Sequence, residues 1–337
     1  MIREAIDKIV RGKDLTQEEA ALAMNEIMEG EATPAQIAAF VTALRIKGEL
    51  AEEIAGMAAV MREKSLKVVT DGFLVDTCGT GGDGHNTMNV STAAAVVAAA
   101  AGIKVAKHGN RASSGTCGSA DILEASGVKI DLSPEGVKRC IDEVGIGFMF
   151  AQVFHQAMRH AAVPRREIGI RTVFNVLGPL TNPAGAHAQL LGVADPGLGE
   201  KMALALGRLG TQRAMIVHGT EGMDEISISA PTRVWDLMDG KVSEHTITPE
   251  KVGLTSSPLD SIKGGALERH KEMFQGVFQA VPGPAQDVVA LNAAAALVLG
   301  GKARDLKDGI ALARKAITSG AARKKLEDLA SLSQELS

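Results

Sequence analysis

The sequence predicts an α/β protein, with a small all-helical N-terminal domain and a larger α/β domain whose mainly parallel central sheet is covered by helices. Residues 1–66 carry helix-start signals and apolar residues at helical spacing. From Lys67 onward, short β-rich runs alternate with helical stretches, the pattern of strand–helix–strand units. Residues 286–335 are rich in Ala, Leu and Lys and read as helix.

Four short helices are expected in the first segment. Thr16 with Glu19 makes a capping box, and Thr33, Pro34 and Gln36 supply cap, first-turn proline and box partner for a helix reaching about Lys47. Gly48 stops it, and residues 50–64 form the next helix. Ile6, Ile9, Ile27, Phe40, Leu44, Ile54 and Met57 mark the apolar faces. Helices this short bury little alone, so they need another element to pack on, and a partner subunit is one economical choice. Strands are expected at 73–76, 103–106, 128–131, 147–150, 190–193, 215–217, 225–229 and 233–239. Residues 151–183 read as helical, with a break at Gly178-Pro179.

Composition narrows the function classes. A chain of 337 residues with 45% hydrophobic and 23% charged residues is long enough for a sizeable core and two domains. The net charge of −4, from 36 basic and 40 acidic residues, excludes a global basic field for nucleic acid. Cations for a polyanion must then be concentrated locally, at Lys107/Arg111 and Arg165/Arg166/Arg171. Cys78, Cys117 and Cys140 form no CxxC pair and are odd in number, which points to reduced thiols in a cytoplasmic compartment. The start carries charges throughout and no secretory signal. The longest apolar runs, 93–101 and 293–300, fall short of the roughly 20 residues that span a bilayer, so no membrane is expected as partner.

The chemistry concentrates in residues 74–92, LVDTCGTGGDGHNTMNVST. A strand end is followed by Gly79, Gly81, Gly82 and Gly84, and then by a capped helix start at Asn89-Val90-Ser91-Thr92. Glycines let the backbone approach a ligand, and a helix N-terminus offers free N–H groups and positive potential, so the segment is an anion seat suited to phosphate. It is neither a Walker A loop nor the GxGxxG of dinucleotide folds. A second polar loop, Lys107-His108-Gly109-Asn110-Arg111 and onward to Asp121, also leaves a predicted strand. Two such loops from neighbouring strands suit one ligand with more than one phosphate. Asp224 and Glu225, after a strand and the turn His218–Gly222, could both reach a hard cation or form a solvated acidic turn. Cys78 has no activating base nearby in sequence and reads as a packed residue.

Taken together, GTGGD, NVST, KHGNR, the RTxFNxLGPLxNP of residues 171–183 and the HGxxGxDE of residues 218–225 closely resemble the anthranilate phosphoribosyltransferase family. The likeness runs over nearly the whole chain, in the family's order and spacing. It implies a nucleoside phosphorylase/phosphoribosyltransferase-like fold with a helical domain of residues 1–66, completed by part of 151–185, and a catalytic domain of 67–337. The reaction implied is transfer of the 5-phosphoribosyl group from phosphoribosyl pyrophosphate to anthranilate in tryptophan biosynthesis, releasing pyrophosphate. The expected donor-binding residues are Gly79, Gly82, Asp83, Thr87, Asn89, Val90, Ser91, Thr92, Lys107, His108, Gly109, Asn110, Arg111 and Ser119.

The resemblance likewise implies anthranilate contacts from Gly79, Asn110, Arg165, His108 and His155, with Arg165 preferred to Arg166 because it lies four residues before Gly169. An arginine presents a planar fork to a carboxylate, which suits this acid. Two Mg²⁺ ions are expected on Ser91, Asp224 and Glu225, with Asp83 reaching them through water, and no residue is expected as covalent nucleophile. A homodimer through the helical domain is also implied. Gly115 and Cys117 stand where the family commonly has serines, which leaves the contacts of that loop open. His160, His187, His245 and His270 carry no functional reading. Two alternatives stay open at this point: a pyrimidine nucleoside phosphorylase, and a transferase-like protein that binds nucleic acid.

Overall fold

A computed structural model describes residues 1–112 and 116–336. Four helices come first: α1 (Ile2–Val10), α2 (Gln17–Glu29), α3 (Pro34–Lys47) and α4 (Ala51–Lys64). Both expected capping boxes form, Thr16 with Glu19 and Thr33 with Gln36, and Gly48 ends α3 at φ 86°. A seven-stranded sheet follows, ordered β3-β2-β1-β4-β5-β6-β7. Its strands are β1 (Leu74–Gly79), β2 (Lys104–Gly109), β3 (Ile146–Phe150), β4 (Ala188–Gly192), β5 (Arg213–Gly219), β6 (Thr232–Met238) and β7 (Lys241–Ile247). The first five pair in parallel, while β6 and β7 are antiparallel additions at one edge.

The remaining helices are α5 (Val90–Ala100), α6 (Ser119–Ala125), α7 (Pro134–Arg139), α8 (Ala151–Phe154), α9 (Arg159–Ile168), α10 (Phe174–Leu177), α11 (Gly199–Arg208), α12 (Leu267–Phe278), α13 (Pro284–Leu299), α14 (Leu306–Thr318) and α15 (Ala321–Glu335). Helix α5 is almost wholly Ala and Val and almost wholly buried, so its thin cylinder packs deep between β1 and α13. One core lies around β1–β3, α5 and α13. A second joins α1–α4 with α9, α10, α11 and the faces of β4–β6. Helices α1–α4 therefore bury their apolar faces on one another and on the rest of this chain. Arg62 of α4 strengthens the join, donating to the carbonyls of Leu180 at 2.6 Å and Leu209 at 3.0 Å.

Three sequence expectations need correction. Residues 128–131 are not a strand: Val128 and Ile130 are buried, but the Lys129 N–H donates to the Ser333 hydroxyl of α15 rather than to a neighbouring strand. Residues 225–229 are not a strand either, because side chains take their backbone donors. The Ile226 N–H goes to Asn292 Oδ1 and the Ser227 N–H to Thr232 Oγ1. Asn89 begins α5 but does not cap it, since its side chain is turned elsewhere. Strand β7 was not foreseen. Among the described residues no helix is long and apolar enough to cross a membrane.

Candidate active site

The sheet order reverses between β1 and β4: β1 leads to β2 and β3 on one side, and β4 to β5 on the other. Ligand clefts of parallel sheets open at such a point, beyond the carboxyl ends of the strands. A cleft of about 650 Å³ lies there. Every residue expected to bind the donor lines it, from Gly79 to Thr92 and from Lys107 to Ser119, together with Asp224 and Glu225. Of the two departures in the second loop, Gly115 lies outside the described residues. Cys117 lines the cleft, and its carbonyl accepts from Asn89 Nδ2 at 2.9 Å.

The acidic pair arrives by a route the sequence did not show. After β5 the chain folds back across the ends of β1 and β4, and Gly79 and Gly192, paired in register, make room for it. A Cβ at Gly192 would lie 1.5 Å from the Asp224 carbonyl oxygen, and one at Gly79 would lie 2.4 Å from Asp224 Oδ2. The Gly81 N–H donates to Asp224 Oδ2 at 2.8 Å, and the Ser91 N–H, in the first turn of α5, donates to Glu225 Oε1 at 3.1 Å. Ser91 thus stands beside Glu225.

Burial, with Asp83 facing it, pushes the Asp224 carboxyl up to about 6. Burial and Asp224 push Glu225 well above the usual carboxylate range. Asp83 Oδ2 is buried without a hydrogen-bond partner. Three carboxylates crowded together and short of positive charge fit a divalent cation. Among the described residues no group of three or more His, Cys, Asp or Glu forms a protein-only metal cage. That suits Mg²⁺, which takes one or two carboxylates and fills its octahedron with water and phosphate oxygens.

Lys107 is buried beneath the loops. Its ammonium donates to the Thr77 carbonyl at 2.6 Å and lies 3.4 Å from Ser91 Oγ. Burial lowers its pKa and raises that of the enclosed Asp76, which accepts from the His108 N–H and from Asn182 Nδ2. Arg111 lines the cleft, but its guanidinium is held by Asp121 at 2.9 Å and by Glu124 at 2.8 Å, over the Phe150 ring. Asp121 also accepts from the Ala112 and Gly118 N–H groups, which closes the second loop. Gly109 admits the Ser119 hydroxyl, which a Cβ would meet at 2.2 Å. Asn110 is exposed at the rim, with its Oδ1 accepting from the Arg111 N–H.

His155 and Arg165 do not line this cleft. The His155 ring lies 5.0 Å from that of His108, which does, with the planes tilted at 56°, and both rings have a buried Nε2 without a partner. Burial lowers His108 to about 3, with His155 adding to it, and lowers His155 to about 4. Both rings are neutral at pH 7, so they offer shape and hydrogen bonding rather than charge. Arg165, near the end of α9, lies over the Phe174 ring at 5.2 Å, and burial lowers its pKa. Burial raises the Cys78 thiol well above its ordinary range, which removes it as a nucleophile.

Two site-shaping residues escaped sequence reasoning. Arg171 donates to the Thr80 carbonyl at 3.3 Å, and a Cβ at Gly82 would lie 1.7 Å from its Nη1, so it presses on the glycine-rich loop from the segment between α9 and α10. The sequence marked it as a local cation but gave it no partner. Gly192 had no signal beyond ending a strand.

Two family models match: the helical bundle domain of the glycosyl transferase family over residues 3–65, and its a/b domain over residues 71–323. The anthranilate phosphoribosyltransferase of Dehalococcoides mccartyi is 55% identical, covering 100% of this chain and 99% of its own length. That of Moorella thermoacetica is 54% identical, with 97% of each chain covered. Among solved structures, the anthranilate phosphoribosyltransferase of Thermus thermophilus superposes with a TM-score of 0.93 at 46% identity, covering 98% of this chain and 99% of its own. That of Saccharomyces cerevisiae, in complex with PRPP and Mg, superposes with a TM-score of 0.91 at 28% identity, covering 99% of this chain and 98% of its own. With both domains matched and the whole chain covered at such identity, the chain belongs to the anthranilate phosphoribosyltransferase family.

Proposed function

We propose that the cleft binds phosphoribosyl pyrophosphate between its two loops, and that Arg165 presents anthranilate from across the gap. The enzyme transfers the 5-phosphoribosyl group to the amino group of anthranilate, giving N-(5-phosphoribosyl)anthranilate and pyrophosphate. The observation that carries the placement is the convergence of the glycine-rich loop, the second loop and the Asp224-Glu225 turn on one cleft at the sheet's switch point. The nucleoside phosphorylase and nucleic-acid readings find no such support: the relatives matched over full length are transferases.

The backbone N–H groups of the glycine-rich loop and the first turn of α5 bind the phosphates, with Asn89, Thr87 and Thr92 beside them. Ser91, Asp224 and Glu225 would hold Mg²⁺, two ions per subunit, with Asp83 acting through water. Bound there, Mg²⁺ supplies the charge that stabilises a departing pyrophosphate. Lys107 fixes the base of the loops through Thr77 and Ser91. The arylamine is neutral at pH 7 and carries its own lone pair, so the site needs no strong base. The chain's work is positioning and electrostatics, without a covalent intermediate. His108 and His155, both neutral, border the aromatic acid, and Arg165 supplies the carboxylate's counter-charge.

A homodimer through the helical domain is part of the same proposal, supported by the exposed Val10, Ile46, Val163 and Ile170 on its elements. A cytoplasmic setting fits Cys78, Cys117 and Cys140, all free thiols. The test is the loss of anthranilate fluorescence on mixing with phosphoribosyl pyrophosphate. The expected result is rapid Mg²⁺-dependent loss, and fluorescence that persists with both present overturns the reading.

A further inference from the structure

His270 of α12 is buried, with 1% of its surface exposed, and both ring nitrogens face residues of the two phosphate loops. Nδ1 lies 3.2 Å from Asn89 Oδ1, at the end of the glycine-rich loop, and Nε2 lies 3.2 Å from the Thr116 hydroxyl of the second loop. Asn89 Nδ2 already donates to the Cys117 carbonyl, so Asn89 Oδ1 is an acceptor and Nδ1 of the ring carries the hydrogen. Nε2 of a neutral ring is then an acceptor, one of three that face the single hydroxyl hydrogen of Thr116, with the Gly265 carbonyl and Asn86 Oδ1.

The neighbouring backbone holds the ring in place. The chain just before α12 runs beside the glycine-rich loop: the Met88 N–H donates to the Ile262 carbonyl at 2.9 Å and the Gly264 N–H to the Asn86 carbonyl at 2.8 Å. A Cβ at Gly264 would lie 2.3 Å from His270 Nε2, so only glycine lets the ring sit there. The Thr116 hydroxyl also lies 2.5 Å from the Gly265 carbonyl and 3.0 Å from Asn86 Oδ1. Three segments far apart in sequence meet at one imidazole.

We infer that His270 is a positioning residue for the phosphoribosyl donor: it ties the glycine-rich loop to the second loop and holds the two phosphate hollows at the spacing the donor needs. This rests on the proposal that both loops bind the donor. The ring touches neither acidic residue and lies outside the cleft lining, so its effect falls on donor binding rather than on the aromatic acid.

The test uses the full-length, Mg²⁺-loaded enzyme and the variants His270→Asn, Thr116→Val and their combination. Both single changes remove the contact between His270 and Thr116, while His270→Asn also alters the contact to Asn89 and Thr116→Val those to Gly265 and Asn86. Each is expected to raise the KM for phosphoribosyl pyrophosphate roughly three- to tenfold, the loss of one hydrogen bond, with the KM for anthranilate unchanged. Because one contact is shared, the combination is expected to fall short of the sum of the two single changes. Additive effects, or an unchanged donor KM in either variant, overturn the inference. Should His270→Asn not fold, Thr116→Val, at an exposed residue of the cleft lining, is read together with His270→Gln instead. Lys107→Met, measured alongside, separates the two claims. If it raises the donor KM while the His270 and Thr116 variants do not, only the role of His270 fails; if it too leaves the donor KM unchanged, the placement of the donor between the loops fails.

Discussion

At the scale of single residues, the acidic pair and the glycines beneath it form one device. Asp224→Asn combined with Glu225→Gln is expected to abolish Mg²⁺-dependent turnover. In the absence of metal it should leave the protein at least as stable as the parent, because two buried, mutually repelling carboxylates are removed. Activity assays across Mg²⁺ concentrations and thermal unfolding in chelator check both halves. Gly192→Ala is expected to cut turnover at least about a hundredfold and to cost about 1–3 kcal/mol of stability, since its Cβ would occupy the backbone path of Asp224. The place of Asp224, Glu225, Ser91 and the glycine-rich loop in one cleft was legible through the family resemblance of their short motifs taken together, since the residues alone left Asp224-Glu225 open between a cation site and a solvated turn. Gly192, Arg171 and His270 were not, because each acts on a segment distant in the chain and nothing beside it in sequence shows the contact. Lys107 was read as a phosphate ligand; it lines the cleft, and its ammonium is bonded to Thr77 and lies beside Ser91, contacts that its sequence neighbours did not show.

At the scale of elements, the helical half was the most readable, because capping boxes at Thr16 and Thr33 and the glycine stop at Gly48 are local chemistry. Parallel strands were found in place but longer than their apolar runs, their ends being set by neighbours. Strand β7 was missed although Asp239-Gly240, with φ values of 51° and 74°, is a hairpin turn signal, because its residues are mostly polar and exposed. Residues 225–229 misled in the opposite way: an apolar alternation was satisfied by side chains of α13 and β6 instead of a ladder. Helix α9 brings Arg165 near the domain junction, where Phe174 of α10 supports its guanidinium. Arg165→Ala is therefore expected to raise the KM for anthranilate tenfold or more with little change in that for the donor, as steady-state kinetics with each substrate varied will read. A rise confined to the donor would reverse the placement of the two substrates.

At the scale of the whole molecule, the second core is shared between the helical bundle and the sheet, so α1–α4 do not depend on a partner subunit to bury their apolar faces. The exposed Ile46 and Val10 remain for the proposed homodimer, and on that proposal the parent sediments as a dimer and Ile46→Glu as a monomer. Acid should weaken the fold through His108 and His155. Their folded-state values, about 3 and about 4, lie below the ordinary 6.5, so between these limits the unfolded chain binds more protons and stability falls as pH falls. From pH 6.5 to 5 each ring contributes a loss of about 2 kcal/mol, and His155→Gln should shrink the difference between urea titrations at the two values by about that much. The sharing of one cleft by two loops and the acidic turn is tested most directly by diffraction from crystals grown with phosphoribosyl pyrophosphate and Mg²⁺. The expected density places the donor's phosphates between the Gly79–Asp83 turn and the first turn of α5, with metal beside Asp224 and Glu225. Donor bound elsewhere, with that cleft filled by water, would contradict it.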